Sequence, residues 1–501
     1  MISFSRIVRD YDTSGALHSL IGVHQAVSDH VFLTKRGDLL VVARLEGLEY
    51  EGLDAPELNR ACRQFESALK TLGEGFRLYQ YVQKRATTSI PHQTYPELPV
   101  VNEAIANRVN FLSAKDPGLH TVELYWVLLF ERGQEATSRS RKARGFLSDP
   151  RACLRYWLSA GARSAALAQD IASSQDLLLN KARAFLSQLD DGLRPTLLDK
   201  HQCFGFLRSL LNYGALALDA PRLKYDDHVD YQICGSALEC HRDHLRLGDA
   251  YVQVLTLKEP PSQTYAHLLR RLQDLPSQFV IASEWKAVEV TQSRRAIQMK
   301  RRHFHNTKIS VLPYLANSPP TGQGVLVDDA AAALVQDLGH CLEEIDVHGK
   351  HFGQFSLTVA LYDHDRTRLK RSVAECVKVF GSHDAQLLDE RYNLLNAFLA
   401  IIPGNQLFNL RRMWLLSTNS IRSALAASAS VTRTGRCATT SATDLVVTPT
   451  VPRPKNRGHS RISKNATTYR SSRPIWRYRC ARPRKRSSYP RLRRPPRPPL
   501  R

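Results

Sequence analysis

The chain has 501 residues and a formal net charge of +23, and it is too long for a single hydrophobic core. The charge is uneven: residues 421–501 hold 21 Lys+Arg against one acid, Asp444, which leaves 49 bases and 46 acids in residues 1–420. A basic pI therefore argues for polyanion binding in the last 81 positions alone, and it excludes that argument for the nearly neutral remainder. The longest apolar runs, 122–130 and 394–402, are too short to span a bilayer. The N-terminus lacks a basic segment followed by an apolar run, so no signal peptide is expected. Nine cysteines without paired spacing fit free thiols in a reducing, cytoplasmic compartment.

In chain order, Val31-Phe32-Leu33 and Leu39 to Val42 flank Lys35-Arg36-Gly37-Asp38, which predicts a hairpin with Gly37 at positive φ. Asp54, Pro56 and Glu57 read as the cap, first turn and capping box of a helix. Its buried stripe is Leu58, Cys62, Phe65, Leu69 and Leu72, and Gly73 or Gly75 ends it. Strands are expected at 77–82 and 122–130, with a helix over 98–112 between them. Residues 131–146 are polar and basic and read as a solvated loop. Residues 150–218 are helical by pattern, with one stripe at Leu178, Ala182, Phe185 and Leu189 and another at Phe204, Leu207, Leu210 and Leu211.

The next strand is 251–257. Pro260-Pro261 breaks it, and a helix with Leu268, Leu269 and Leu272 follows, closed by Pro276. A strand at 279–282 and a helix from about 285 to 302 complete a β-α-β-α order. Residues 313–325 are a Pro/Gly linker, and 330–344 are helical. Phe355, Leu357, Val359 and Leu361 alternate with Ser356, Thr358, Ala360 and Tyr362, a strand with one strongly apolar face. Asp363-His364-Asp365 precedes a helix with Leu369, Val373, Cys376, Val377 and Phe380, stopped by Gly381; either Asp can cap it. A second helix carries Tyr392, Leu395, Phe398 and Leu399 and ends at Pro403-Gly404-Asn405. The same β-α-β-α order in 352–403 raises an internal structural repeat, without letter-by-letter similarity.

From about residue 420 the composition changes. Residues 421–501 contain 11 Leu, Ile or Val, no Phe, 18 Arg against 3 Lys, and ten prolines. Such a segment cannot bury a core and is expected to be disordered. Arg, Pro, Ser, Thr and Ala are what a GC-rich gene yields in a shifted reading frame, so an out-of-frame origin is favoured over a purposeful basic tail. Arg473 to Arg497 interleave arginines with Trp476, Tyr478 and Tyr489, a composition able to grip single-stranded nucleic acid by charge and stacking.

Candidate chemistry is sparse. A nucleoside triphosphatase needs a Gly-x4-Gly-Lys-Ser/Thr loop to cradle phosphates and bind Mg²⁺. It is absent: Gly349-Lys350 is followed by His351, and Gly322-x-Gly324 sits in the linker. Cys234, Cys240, His241 and His244 have the chemistry of zinc ligands but lack knuckle spacing; half-buried thiols beside surface histidines are the plainer reading. No nucleophile setting is recognisable, and capping explains Asp363 and Asp365 better than acid–base work. The expected catalytic, cofactor and metal residues are therefore none.

The strings GxFxxxVALYDHD (353–365), NLLNAFLAIIPGN (393–405), NLRR (409–412) and LSTN (416–419), with GDLLVVARLEGLEYE (37–51), LYQYVQKR (78–85), RAFLSQLDDG (183–192) and FGFLRSLLN (204–212), resemble the CagE/TrbE/VirB family of type IV secretion, or conjugal transfer, ATPases. The resemblance covers the family's N-terminal region and stops near Asn419, before the place of its phosphate-binding loop. It implies an α+β multi-domain fold with ferredoxin-like β-α-β-α units and a helical insertion, the RecA-like ATPase domain being absent from this sequence. The expected partition is 1–135 α+β, 136–230 helical insertion, 231–419 second α+β domain and 420–501 basic tail. Full-length relatives use ATP and Mg²⁺, form homo-oligomers, lie peripheral to the bacterial inner membrane and dock on the inner-membrane proteins of the secretion complex. The resemblance implies a docking and oligomerisation region truncated before the nucleotide-binding loop, without a cofactor of its own. The alternative is a non-enzymatic nucleic-acid-binding protein acting through its tail.

Overall fold

Antiparallel strand pairing organises the computed structural model. The structure describes residues 16–47, 54–86, 90, 92–95, 97–114, 120–132, 160–213, 222–224, 227–261, 270–308, 329–347 and 350–417. The solvated loop at 133–146, the linker at 313–325 and the tail from 420 lie outside the described residues.

Strands β1 (Val23–Ala26), β2 (Phe32–Thr34) and β3 (Leu39–Leu45) open the chain. Gly37 adopts φ +87° in the β2–β3 turn, as expected from its lack of a Cβ. Helix α1 (Ala55–Thr71) starts where Glu57 accepts the Asp54 N–H at 3.1 Å. Strand β4 (Phe76–Ala86), helix α2 (Pro99–Ser113) and strand β5 (His120–Phe130) follow, then helix α3 (Ala160–Ser187), strand β6 (Pro195–Leu197) and helix α4 (Lys200–Ser209). β6 interrupts the all-helical pattern expected for 150–218, because its backbone finds partners along β3. Next come the short helix α5 (Val229–Ile233) and strands β7 (Leu238–Cys240), β8 (Leu245–Leu247), β9 (Ala250–Glu259) and β10 (Gln278–Ala287).

Helices α6 (Val290–Lys308) and α7 (Asp329–Asp346) pack on each other. Strand β11 (Phe352–Asp363), helix α8 (Arg366–Gly381), strand β12 (Gln386–Asp389), helix α9 (Leu394–Leu399) and strand β13 (Met413–Leu416) complete the fold. The expected helix from 285 starts five residues later, at Val290. Trp285 is drawn into β10, which pairs with both β4 and β11 and so extends well past residue 282. Leu268 and Leu269 lie outside the described residues; a 3₁₀ turn at Arg270–Asp274 precedes β10.

The sheet runs β1-β2-β3-β5-β4-β10-β11-β9-β8-β7, with β6 on β3, β12 on β9 and β13 on β11. Among the described residues every neighbouring pair of strands is antiparallel, and β4 joins β10 over eight paired positions, so one sheet links the N-terminal strands to the C-terminal ones.

Two cores cover its faces. On the first, Phe65, Leu69 and Leu72 of α1, Leu178, Ala182 and Phe185 of α3, and Leu369, Cys376 and Phe380 of α8 meet Val41, Trp126, Ile281 and Val359. Trp126 stacks on Phe65 at 4.8 Å between ring centroids. On the second face, Phe204 and Leu207 of α4 and Phe398 and Leu399 of α9 meet Val42, Tyr79, Tyr81, Val280, Ala360 and Tyr362. Both faces of β11 are therefore buried: Ser356, Thr358, Ala360 and Tyr362 are covered as well as the apolar set, Tyr362 by the stacked ring of Tyr213 at 3.9 Å and Ser356 by Asn409. Val377 and Tyr392, expected in helix stripes, are exposed; Tyr392 precedes α9 and points away from the core.

Gly353 on β11 has a packing reason. A Cβ there would enter the indole of Trp285 and approach Lys286 O at 2.7 Å. Gly353→Ala is expected to cost about 1–3 kcal/mol by overpacking, read as a lower urea midpoint. Trp285→Leu should recover part of that loss in the double variant, because the two sites are in contact. Strict additivity of the two changes would show that the indole is not the obstacle.

Candidate functional site

The second face of the sheet carries charge as well as hydrocarbon. Register sets Arg77 on β4 opposite Lys286 on β10. Two like charges side by side destabilise a strand pair, and both are largely shielded from water. Two buried carboxylates resolve this. Glu131, just past β5, accepts from Arg77 Nε at 2.8 Å and Nη2 at 2.6 Å and from Lys286 Nζ at 2.5 Å. Glu284 on β10 accepts from the Arg77 Nη1 and from Arg412 Nε at 3.1 Å, and its other oxygen accepts from Asn409 Nδ2 at 2.6 Å.

The segment after α9 supplies the rest. The Pro403-Gly404-Asn405 turn ends the helix, with Gly404 at φ +90°. Its carbonyl would lie 2.6 Å from a Cβ at Gly22, so the turn and the N-terminal segment interlock through two glycines. Tyr81 donates to Ile401 O at 2.7 Å, and Asn405 Nδ2 reaches Leu20 O at 3.0 Å. Gln406 Nε2 donates to Asp38 Oδ2 at 3.1 Å. Asn409 also bonds Ser356 Oγ of β11 at 2.6 Å, and Arg411 Nε donates to Glu390 Oε1 at 2.8 Å. Thr256 of β9 donates to that same Glu390 oxygen at 2.6 Å. Residues 405–412 thus form a strap from the β2–β3 turn across β10 and β11 to the end of β12.

Asp38, Arg77, Glu131, Lys286, Gln406 and Arg412 line a polar cleft of about 470 Å³ beneath this strap. Burial pushes the Asp38 carboxyl above its ordinary range, with the Gln406 amide opposing. Burial also acts to raise Glu131, but Arg77 and then Lys286 outweigh it and hold that carboxyl below its usual value. Beneath the strap, Arg77, Lys286 and Arg412 are each matched to a carboxylate. The arrangement suits a brace better than a reaction centre, which keeps a group poised for substrate.

The sequence singled out Asn409, Arg411 and Arg412 through their motif. It did not find Arg77, Glu284 and Lys286, charges within largely apolar strands, or Glu131 and Glu390, which lie just past the ends of β5 and β12. Asp365 caps α8, accepting from Thr367 N at 2.8 Å, and Asp363 accepts from Ser277 Oγ at 2.9 Å. Cys234 is half-buried, its thiol pushed up to about 12 by burial, while Cys240 is exposed. The His241 and His244 rings stack at 4.5 Å, and His244 Nδ1 lies 2.8 Å from Asp243. Bonds from His244 and Arg366 hold the Asp243 carboxyl at about 2. Among the described residues no group of three or more His, Cys, Asp or Glu side chains is placed to hold a metal ion. Lys350 pairs with Glu344 at 2.5 Å, and Gly322, Gly324 and Gly349 lie outside the described residues.

Glu284→Ala would leave Arg77 buried beside one carboxylate fewer and take one of two acceptors from Asn409. A loss of about 3–5 kcal/mol is expected from breaking a buried ion pair, measured by urea unfolding; an unchanged midpoint would remove Glu284 from its central role. Asp38 gives a second check. Its folded pKa is raised, so its contribution to stability is present below its ordinary value and lost as pH rises through the folded one. The melting temperature of Asp38→Asn should therefore gain on the unmodified chain as pH rises above the ordinary carboxylate value of about 4. A gap that stays constant would show that burial does not perturb this carboxyl.

Comparison with known families matches two segments. Residues 30–137 match the type IV secretion system ATPase VirB4/TrbE N-terminal domain. Residues 321–411 match the CagE, TrbE, VirB family, component of type IV transporter system. No curated protein matches the chain. The first segment supplies Asp38, Arg77 and Glu131 to the brace, and the second supplies Glu390, Gln406, Asn409 and Arg411.

Proposed function

We propose, from the premise that this chain belongs in its N-terminal region to the CagE/TrbE/VirB family of type IV secretion ATPases, that it serves as a docking and oligomer-contact scaffold rather than as the hydrolytic engine. Its setting is a type IV secretion or conjugal transfer system. The observation that carries this reading is the strap: the Asn409-Leu410-Arg411-Arg412 motif spends its polar groups on Glu284, Ser356 and Glu390. These side chains are engaged in fastening the sheet. The sequence itself holds no Gly-x4-Gly-Lys-Ser/Thr loop.

The proposed partners are inner-membrane proteins of the secretion complex, with the chain cytoplasmic and peripheral to that membrane. Among the described residues no helix is long and apolar enough to cross a membrane. Residues 420–501 are read as an out-of-frame segment, supported by the abrupt shift to Arg and Pro. The second reading, a nucleic-acid-binding protein, has that same arginine excess in its favour: 21 bases against one acid make an expressed tail a salt-sensitive polyanion binder.

The purified chain is expected to co-fractionate with the inner-membrane complex of a cognate secretion system and to show no Mg²⁺-dependent ATP hydrolysis above a mock preparation. Hydrolysis that follows the chain through two further columns would overturn the scaffold reading. A chain ended at Asn419 should lose binding to single-stranded DNA; undiminished binding would take the affinity away from the tail. Translation of all frames beyond codon 419 should reveal a phosphate-binding loop, and its absence in every frame would overturn the out-of-frame origin.

A further inference from the structure

The near end of the strap holds an unmatched acceptor. Gln406 is buried, and its amide is served on one side only. Nε2 donates to Asp38 Oδ2 at 3.1 Å, while Oε1 is buried without a donor among the described residues. A buried amide oxygen left in that state is costly. The far end has no such defect, because Asn409, Arg411 and Arg412 are bonded to Glu284, Ser356 and Glu390.

Asp38, which faces the amide, is equally buried, and among the described residues no salt bridge reaches it. On its own turn Arg36 is exposed, and the Asp38 N–H donates to Thr34 Oγ at 3.0 Å. Past β5, Glu131 acts on it as a like charge, and the Arg132 backbone N–H opposes. The Arg132 side chain is turned to Gly37 O and Asp170. Arg77 and Lys286 line the same cleft but are engaged with Glu131, and Arg412 with Glu284. Glu74 and Glu289 complete its charged lining. Burial is the largest influence on Asp38, and burial favours the neutral acid.

A carboxylic acid and a primary amide are complementary. The acid has one O–H donor and a carbonyl acceptor, and the amide has N–H donors and a carbonyl acceptor. Both groups are planar and set their two polar atoms at nearly equal spacing, so together they close a ring of two hydrogen bonds. The first bond, from Nε2 to Oδ2, is already in place. A proton on the other Asp38 oxygen supplies the donor that Gln406 Oε1 lacks. The ionised carboxylate is acceptor-only and leaves Oε1 unpaired.

We propose that Asp38 and Gln406 form a proton-operated latch for the strap: protonated Asp38 closes a two-bond acid–amide pair with Gln406, and loss of that proton frees residues 405–408 from the β2–β3 turn while the far end stays fastened. Asp38, Gln406 and Leu407 line the cleft of about 470 Å³, so opening the latch widens its mouth. The inference goes beyond the scaffold reading, since it concerns a local movement that needs no partner. Asp38 has its ordinary pKa in the open strap and a raised one in the closed strap. The closed form is therefore favoured in acid and loses that advantage as pH rises through the closed-state value.

The experiment is amide hydrogen exchange of the full chain, read by mass spectrometry on peptides spanning 403–412. It compares about pH 4, the ordinary carboxylate value, with neutral pH, exchange times being scaled for the intrinsic rate. Peptides of β10 are the control for global opening. The reporters are the N–H groups of Phe408, bonded to Asn405 O at 3.0 Å, and Asn409, bonded to Gln406 O at 3.4 Å. Their protection is expected to fall several-fold from acid to neutral pH while β10 stays unchanged. Asp38→Asn offers the same donor and acceptor as the protonated acid and should keep the acid-level protection at both pH values. Gln406→Met should leave protection low at both. Flat protection in the unmodified chain, or a pH dependence that survives in Asp38→Asn, would overturn the latch. A pH dependence that survives in Gln406→Met would assign the effect to the burial of Asp38 alone and overturn the acid–amide pair.

Discussion

A buried carboxylate on a middle strand is the constraint on which much else depends. Glu284 lies in β10, between β4 and β11, and only 4% of its surface reaches solvent. Such a charge is stable only when donors converge on it. Arg77 arrives from β4, and Asn409 and Arg412 arrive from the strap after α9. Satisfying one residue therefore ties positions more than 200 apart in sequence, and it draws the two family-matched segments into one structure.

The neighbouring contacts follow the same logic. Lys286 and Arg77 tolerate adjacency because Glu131 bonds both. Glu390 serves Arg411 from one side and Thr256 from the other, which seats the far end of the strap on β9. Asp38 holds the near end through Gln406. Polar groups of this kind add modest net stability once desolvation is counted. Their stronger effect here is on register, since slipping β10 by one residue would send Glu284 and Lys286 into the apolar first face. Hydrocarbon on both faces supplies the main driving force, and α3 and α4 cover the N-terminal strands as α8 and α9 cover the C-terminal ones. α2 remains outside this packing, with none of its residues buried.

Legibility varied with how local the cause was. The Gly37 turn, the Asp54–Glu57 start of α1, the stripes of α3 and α4 and the Asp365 cap were readable because each rests on residues within a turn or two of one another. The N-terminal limit of α6 was misplaced, since the pull on Trp285 comes from β4 and β11, which are remote in sequence. The alternation in β11 was real, but alternation says only that two faces differ. That Tyr213 and Asn409, remote in sequence, cover the other one was invisible.

The brace shows the boundary most clearly. Asn409, Arg411 and Arg412 stood out as a motif without a visible purpose, and their partners stood out as nothing at all. Sequence alone determined most of the strands and helices, the charge divide near residue 420, the absence of a phosphate-binding loop from this chain and the resemblance of two segments to one family. Those features are set by composition and by spacing along the chain. Only the tertiary structure decided that one sheet joins both segments, that the arginine motif is a fastener and that no residue of α2 is buried. Each of these depends on which distant groups share a low-dielectric space, where an unmatched charge is costly and an uncovered apolar face is exposed to water.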